Sequence, residues 1–173
     1  CVGTPTKQSD GKADLTYLFG AIDELKPYIN KKQILVIKST VPVGTNALAT
    51  NYLNSGTNLA YEIASNPEFL REGSAVEDFM RPDRVLIGVR GDRAKKVMAN
   101  VYRPLYLRDF PVVFTDPESA EITKYAANAF LATKITFINE IANLCEKTDV
   151  NVDDISIGMG LDQRIGSRFL RAG

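Results

Sequence analysis

The chain has 173 residues, about one large domain or part of a two-domain protein on a prior of ~150 residues per domain, and its 45% hydrophobic and 24% charged content excludes a disordered or fibrous chain. Lys plus Arg number 21 and Asp plus Glu 21, so the net charge is zero, which argues against an undirected polyanion binder and against nucleic acid as a partner. There is no His, so the commonest general base and the usual zinc spacings are missing, no metal site is expected, and acid–base work falls to carboxylates, Lys or water.

CVGTP at the start reads as the end of a buried strand entering a loop. In LTYLFGAIDELKPYI, Leu15, Leu18, Phe19, Ile22, Leu25 and Ile29 recur at three- and four-residue spacing, the pattern of an amphipathic helix with Pro27 near its end. QILVIKS is a continuous apolar run of strand length, suited to burial on both faces of a parallel sheet. A short helix in VPVGTNALATNYLNSG closes on Gly56, followed by strands in LAYEIAS and RVLIGV, a helix in DRAKKVMANVYRPLY and a strand in PVVFT. This alternation predicts an α/β sheet of parallel strands with right-handed crossovers.

From Asp116 the texture changes. PESAEITKYAANAFLATKITFINEIANLCEKTD runs without Gly or an internal Pro, and Pro117 and Glu118 suit a first helical turn. Such a helix is roughly 45 Å long at ~1.5 Å per residue, enough to cross between domains or form an oligomer spine. Ile122, Tyr125, Ala129 and Phe130 form one apolar face that Ala126, Ile135, Ile138, Ile141 and Leu144 extend around the helix, so much of it is expected to be buried. A shorter helix in VDDISIGMG and an Arg-rich tail follow. The first residue is Cys and the last is a Gly with no closing element, so the sequence reads as an internal fragment. No apolar run reaches the ~18 residues that span a bilayer, no basic-then-apolar leader opens the chain, and Cys1 and Cys145 form no CxxC pair. A cytoplasmic protein without a membrane partner is expected.

Three clusters carry the chemistry. KSTVPVGT lies at the carboxyl end of a strand, where open α/β sheets bind ligands; Ser39 and Thr40 either contact a cofactor or a water there, or cap the following helix. In NPEFLREGSA, Asn66 can cap a short helical turn that places Glu68 and Glu72 four residues apart on one face, as a general base beside a second acid or as a solvated, dipole-matched pair. In KYAANAF, Lys124 and Asn128 are also four apart among small residues; Lys124 either stabilises an oxyanion or snorkels to solvent, and Asn128 can bind a hydroxyl. Cys145 reads as a structural buried thiol, Arg90-Gly91-Asp92 as a turn, and Gly158-Met159-Gly160 as too short for a dinucleotide fingerprint.

VGTPT, STVPVGT, NPEFLREGSAVEDFMRPDRVLIG, KYAANAFLATKITFINEIANLCE and GLDQRIGSRFL together resemble, in order and over nearly the whole chain, the UDP-glucose 6-dehydrogenase family. Sister families oxidising GDP-mannose or UDP-N-acetylmannosamine share STVPxGT, whereas DFMRPDRVLIG looks more like the UDP-glucose branch. The resemblance implies the C-terminal portion of a Rossmann-like NAD-binding domain over 1–115, then a long central helix and the start of an all-α dimerisation domain over 116–173. It implies NAD as cofactor, UDP-glucose as substrate, and a two-step oxidation of carbon 6 through a cysteine thiohemiacetal and thioester to UDP-glucuronate. By motif match, Val2, Gly3, Thr4, Pro5, Thr6, Ser39 and Thr40 line the NAD pocket and Thr40 helps hold the catalytic water. Glu68 and Glu72 are the carboxylates near that water, with Glu72 also close to the nicotinamide, Lys124 stabilises the oxyanion, and Asn128 positions water or sugar. Phe69, Leu70, Arg71, Phe169, Leu170 and Arg171 contact the nucleotide sugar. Arg164 matches an arginine reaching the substrate of a neighbouring subunit, which implies a homodimer or larger homo-oligomer. The sequence contains neither the GxGxxG loop nor the catalytic Cys segment of the family, so the 173 residues alone are expected to be inactive as a dehydrogenase; an inactive nucleotide-binding or dimerisation module is the alternative from another class.

Overall fold

The computed structural model describes residues 2–30, 33–56, 60–106 and 110–173; Cys1 lies outside them. The chain divides into two compact units, the first ending at Lys124 and the second Tyr125–Gly173.

In the first unit, strands β1 (Ile34–Ile37), β2 (Glu62–Ser65), β3 (Val85–Gly88) and β4 (Val112–Thr115) form one sheet in the order β1-β2-β3-β4. Helix α1 (Thr16–Leu25) precedes β1, and α2 (Thr45–Asn54), α3 (Ala75–Met80) and α4 (Asp92–Tyr106) connect successive strands. Successive strand residues point to opposite faces, and Ile63 and Ala64 accordingly enter different cores. Ile63 joins Leu18 and Ile22 of α1, Ala49 and Leu53 of α2, Ile37 and Val41. Ala64 joins Val85, Ile87 and the α4 residues Met98, Tyr102 and Leu105. Residues 2–5 form no strand, and Thr6 makes a single antiparallel bridge to Ala13. The helix α2 ends as expected, with Gly56 just beyond its C-cap at φ +73.

The all-parallel expectation fails at one place. β1 and β2 are parallel, as are β3 and β4, but β2 and β3 are antiparallel, meeting at Ser65 and Gly88. A parallel return needs a crossover helix packed on the sheet, and α3 is only six residues long with none buried. β1 is also less covered than its apolar run suggests, with Ile34, Leu35 and Val36 half-buried at the end of the strand order.

The long helix α5 spans Pro117–Thr148, 32 residues, and its first two turns belong to the first unit. β3 packs closely on its start: a Cβ at Gly88 would lie 2.6 Å from Pro117 Cα and 2.8 Å from Ala120 Cβ. In the second unit α6 (Val152–Gly160) is capped by the Asn151 side chain, which accepts from Asp153 N at 3.0 Å. Lys134 Nζ donates to the carbonyls of Ile165 at 3.0 Å and Gly166 at 3.4 Å, drawing the tail onto α5. Ile138, Cys145 and Leu170 are buried. Most of the broad apolar face of α5 is not: Ile122, Tyr125, Phe130, Ile135, Phe137 and Leu144 are exposed. Among the described residues no helix is long and apolar enough to cross a membrane.

Candidate functional site

Parallel pairing of β1 with β2, with Ile37 beside Ser65, sends residues 38–40 and 66–70 off the same edge of the sheet, at the carboxyl ends of both strands. Asn66 locks the two exits together. Its backbone N–H donates to Ile37 O at 2.8 Å, its side-chain amide donates to Leu86 O at 2.8 Å, and its Oδ1 accepts from Lys38 Nζ at 3.0 Å and from the Tyr102 hydroxyl.

Against this edge lies the segment Val2, Gly3, Thr4, Pro5, Thr6. Ser39 Oγ donates to Val2 O at 2.9 Å and Thr4 Oγ1 donates to Thr40 O at 2.7 Å, so the residues assigned to cofactor binding before α1 and after β1 meet in space. Neither Ser39 nor Thr40 caps α2. The N-cap is Gly44 at φ +90, with no side-chain cap of its own. The hydroxyl of Thr40 is half-buried and has no hydrogen-bond partner among the described residues, which leaves it free for a ligand or a water.

The helical turn expected at Asn66 does not form. Pro67 disfavours helical backbone at the residue before it, and Gly73 turns the chain at φ +83, so α3 starts only at Ala75. Glu68 and Glu72 are therefore not on one helical face. Glu68 accepts the Leu70 N–H at 2.5 Å and pairs with Lys124 Nζ at 3.2 Å. Lys124 is only 6% exposed, and its amine also sits 5.2 Å from the ring centre of Phe69, whose ring carries the Arg84 guanidinium at 3.8 Å. A buried ammonium is tolerable only with a counter-charge, and Glu68, about one-third exposed, supplies it. Glu72 is exposed in a turn and is held by no ion pair among the described residues.

Leu70 and Arg71 are exposed. Arg71 is held by Asp78, Nη2 to Oδ1 at 2.5 Å and Nε to Oδ2 at 3.0 Å, and Asp78 also accepts the Arg71 N–H at 2.8 Å. The guanidinium keeps the Asp78 carboxyl far below the usual carboxylate range, and Arg71 is correspondingly more basic.

Sequence reasoning missed Glu121. It lies one turn before Lys124 on α5, is 3% exposed, and accepts the backbone N–H groups of Gly44 at 2.7 Å and Asn46 at 2.8 Å. Burial raises its pKa, and the hydrogen bonds from Asn46, Gly44 and the Ser65 side chain oppose that rise. Its only sequence signal was the three-residue spacing to Lys124, and a Glu near a helix start normally reads as solvated.

The remaining assigned residues belong to the second unit. Asn128 is exposed on α5. Arg164, 90% exposed at its side chain, pairs with its neighbour Asp162 at 2.6 Å. Phe169 adopts φ +64, an uncommon left-handed backbone for an aromatic residue. The Leu170 side chain is buried and Arg171 is exposed. The cysteine Cys145 is free and 4% exposed, as a structural thiol should be.

Residues 1–106 match the model of the UDP-glucose/GDP-mannose dehydrogenase family, NAD binding domain, and residues 118–173 match the central domain of the same family. A UDP-glucose 6-dehydrogenase of Rhizobium meliloti is 55% identical over 99% of the chain, which covers 40% of that relative. A solved UDP-glucose dehydrogenase from Pyrobaculum islandicum superposes with a TM-score of 0.91 at 39% identity, covering all of this chain and 40% of that one. A GDP-mannose dehydrogenase from Pseudomonas aeruginosa, solved as a ternary complex, gives 0.86 at 31% identity, covering all of this chain and 41% of that one. The chain thus spans about two-fifths of the length of these relatives.

Proposed function

Since the chain belongs to the UDP-glucose/GDP-mannose dehydrogenase family, we propose that it forms the middle of an NAD-dependent enzyme that oxidises carbon 6 of UDP-glucose twice, giving UDP-glucuronate. The observation that carries this reading is the buried Lys124 amine 3.2 Å from Glu68, at the sheet edge where residues 2–6 meet Ser39 and Thr40.

The residues at that edge suit a dinucleotide. They are neutral, offer hydroxyls with free lone pairs, and include Gly3, around which a Cβ would find nothing within 4 Å, so a ligand can approach the backbone. Val2, Gly3, Thr4, Pro5, Thr6, Ser39 and Thr40 would hold the cofactor. Bound NAD+ supplies a hydride acceptor. Lys124 holds positive charge where negative charge develops on the oxygen of carbon 6, in a site dry enough to make that charge effective. Glu68, paired yet one-third exposed, accepts a proton from a water that the free Thr40 hydroxyl orients. By the family resemblance Glu72 would lie near the nicotinamide, and Asn128 would position water or sugar. Phe69, Leu70 and Arg71 contact the nucleotide sugar, as do Phe169, Arg171 and the backbone at Leu170. The thioester route implied by the family needs an accessible thiolate, and Cys145 is too buried to provide it.

We read the assembly as a homodimer or larger, with Arg164 serving a neighbouring subunit and the exposed apolar side of α5 serving the interface. The free Cys145 accords with a reducing cytoplasm.

The test uses the complete protein containing these residues. Wild type should reduce NAD+ with UDP-glucose, and Lys124→Met should lower kcat by about 10²- to 10³-fold with an unchanged circular dichroism spectrum. A wild type inert toward UDP-glucose, or a Lys124→Met variant with full kcat, would refute the reading.

A further inference from the structure

We infer that Glu121 is a positioning residue for the proposed reaction, holding the loop that carries Thr40 in register with the turn of α5 that carries Lys124. This rests on the dehydrogenase reading above.

A carboxylate is almost never this buried without a cation beside it. Beside the Ser65 side chain, the partners of Glu121 are instead two backbone amides at the start of α2, Gly44 N–H on Oε2 and Asn46 N–H on Oε1. Those groups are orphan donors at the positive end of a helix dipole, so each carboxylate oxygen has a defined role. A helix that needs only a cap usually takes Ser, Thr, Asp or Asn at the N-cap position itself. Here that position is Gly44, whose left-handed φ of +90 suits glycine and leaves the cap to a residue 77 positions later in the chain. The cap therefore joins two elements rather than finishing one.

What it joins are the two halves of the site. Glu121 and Lys124 are three residues apart, and both are buried, so they share one face of α5. From that face Glu121 grips the start of α2 while Lys124 meets Glu68. Between Gly44 and Thr40 the chain has little freedom: Val41 is buried in the core, and the Pro42 carbonyl accepts the Thr45 hydroxyl at 2.6 Å and the Thr45 N–H at 3.2 Å. Thr40 is pinned in turn by Thr4 at 2.7 Å. Movement of the α2 start thus passes to the Thr40 hydroxyl, and misplacement by about 1 Å is enough to lower a rate by orders of magnitude.

The measurement is a double-variant cycle in the complete protein, with Glu121→Gln, Thr40→Ala and both together. Gln offers one acceptor oxygen and turns its NH2 toward the other backbone donor, so the volume is kept and the two-pronged grip is lost. Glu121→Gln should lower kcat by about tenfold or more while the KM for UDP-glucose stays within about twofold, and the double variant should be little worse than Thr40→Ala alone, because both changes remove the same placement. A role confined to stability would leave kcat per folded molecule unchanged. Wild-type kcat in Glu121→Gln, or losses that multiply in the double variant, would overturn the inference while an active wild type kept the dehydrogenase reading intact. If Glu121→Gln does not fold, Glu121→Asp, which keeps the charge but falls one methylene short, is judged by the same two criteria. A wild type inert toward UDP-glucose would instead sink the reading on which the inference stands.

Discussion

Asn66 shows how a single amide can hold an active edge. It is 2% exposed, and its hydrogen-bond partners come from four separate places: Ile37 on β1, Lys38 just after it, Leu86 on β3 and Tyr102 on α4. Truncation to Ala would strand the Leu86 carbonyl and leave the Tyr102 hydroxyl, which still accepts from Lys38 Nζ at 3.3 Å, without an acceptor for its own proton; an unsatisfied buried group loses about 1–3 kcal/mol. We expect Asn66→Ala to lower unfolding stability by roughly 2–4 kcal/mol in urea titrations, and Asn66→Asp to retain acceptance from Lys38 and Tyr102 but set a carboxylate against the Leu86 carbonyl. An unchanged urea midpoint in Asn66→Ala would contradict the network. At this scale the sequence was partly legible. Asn66, Glu68 and Lys124 stood out as polar residues in apolar surroundings, but Glu121 did not, because its meaning lies in two amides 75 and 77 residues away.

At the scale of elements, the first unit uses borrowed carboxylates to finish its helices. Glu121 from α5 completes α2, and Glu62 from β2 accepts the Ala94 N–H at the start of α4 at 3.3 Å while pairing with Arg93 at 2.6 Å. Such ties reward close packing, and Gly88 is where packing is tightest. An added Cβ would sit 2.6 Å from Pro117 Cα, 2.8 Å from Ala120 Cβ and 2.9 Å from Asp116 O, atoms of the backbone or of the fully buried Ala120 that have nowhere to go. Gly88→Ala should therefore cost about 1–3 kcal/mol of stability or more, read as a lower thermal midpoint. Because the turns it displaces carry Glu121 and Lys124, we also expect kcat of the complete protein to fall; wild-type values for both would show that β3 and α5 are looser than drawn. Element positions were legible because 3.6-residue periodicity and short apolar runs are local signals, and α4, α5 and α6 fall where the pattern puts them. Strand direction is not local. The turn between β2 and β3 reverses the chain because α3 buries nothing on the sheet, and no periodicity within the segment announces that.

At the scale of the whole molecule, the sequence's apolar excess on α5 and its exposure in the single chain have to be reconciled. Phe130, Phe137 and Leu144 recur every seven residues, so they form one stripe along α5 within the second unit, and they are 66%, 47% and 56% exposed. Exposed apolar residues in such a row suit an interface, and the heptad interval is the one at which helices pack against partners over long distances. If a second copy covers this stripe, a charge at its centre must weaken association without disturbing the fold, since Phe137 is already half-exposed in the single chain. We expect Phe137→Glu in the complete protein to reduce the sedimenting mass toward that of a monomer at micromolar concentration, with helical content unchanged by circular dichroism. Activity should fall with it if Arg164, held only by its neighbour Asp162 and 90% exposed, serves the adjoining subunit. A variant that sediments like its parent would mean that α5 meets other parts of its own polypeptide there, and the role assigned to Arg164 would lose its support.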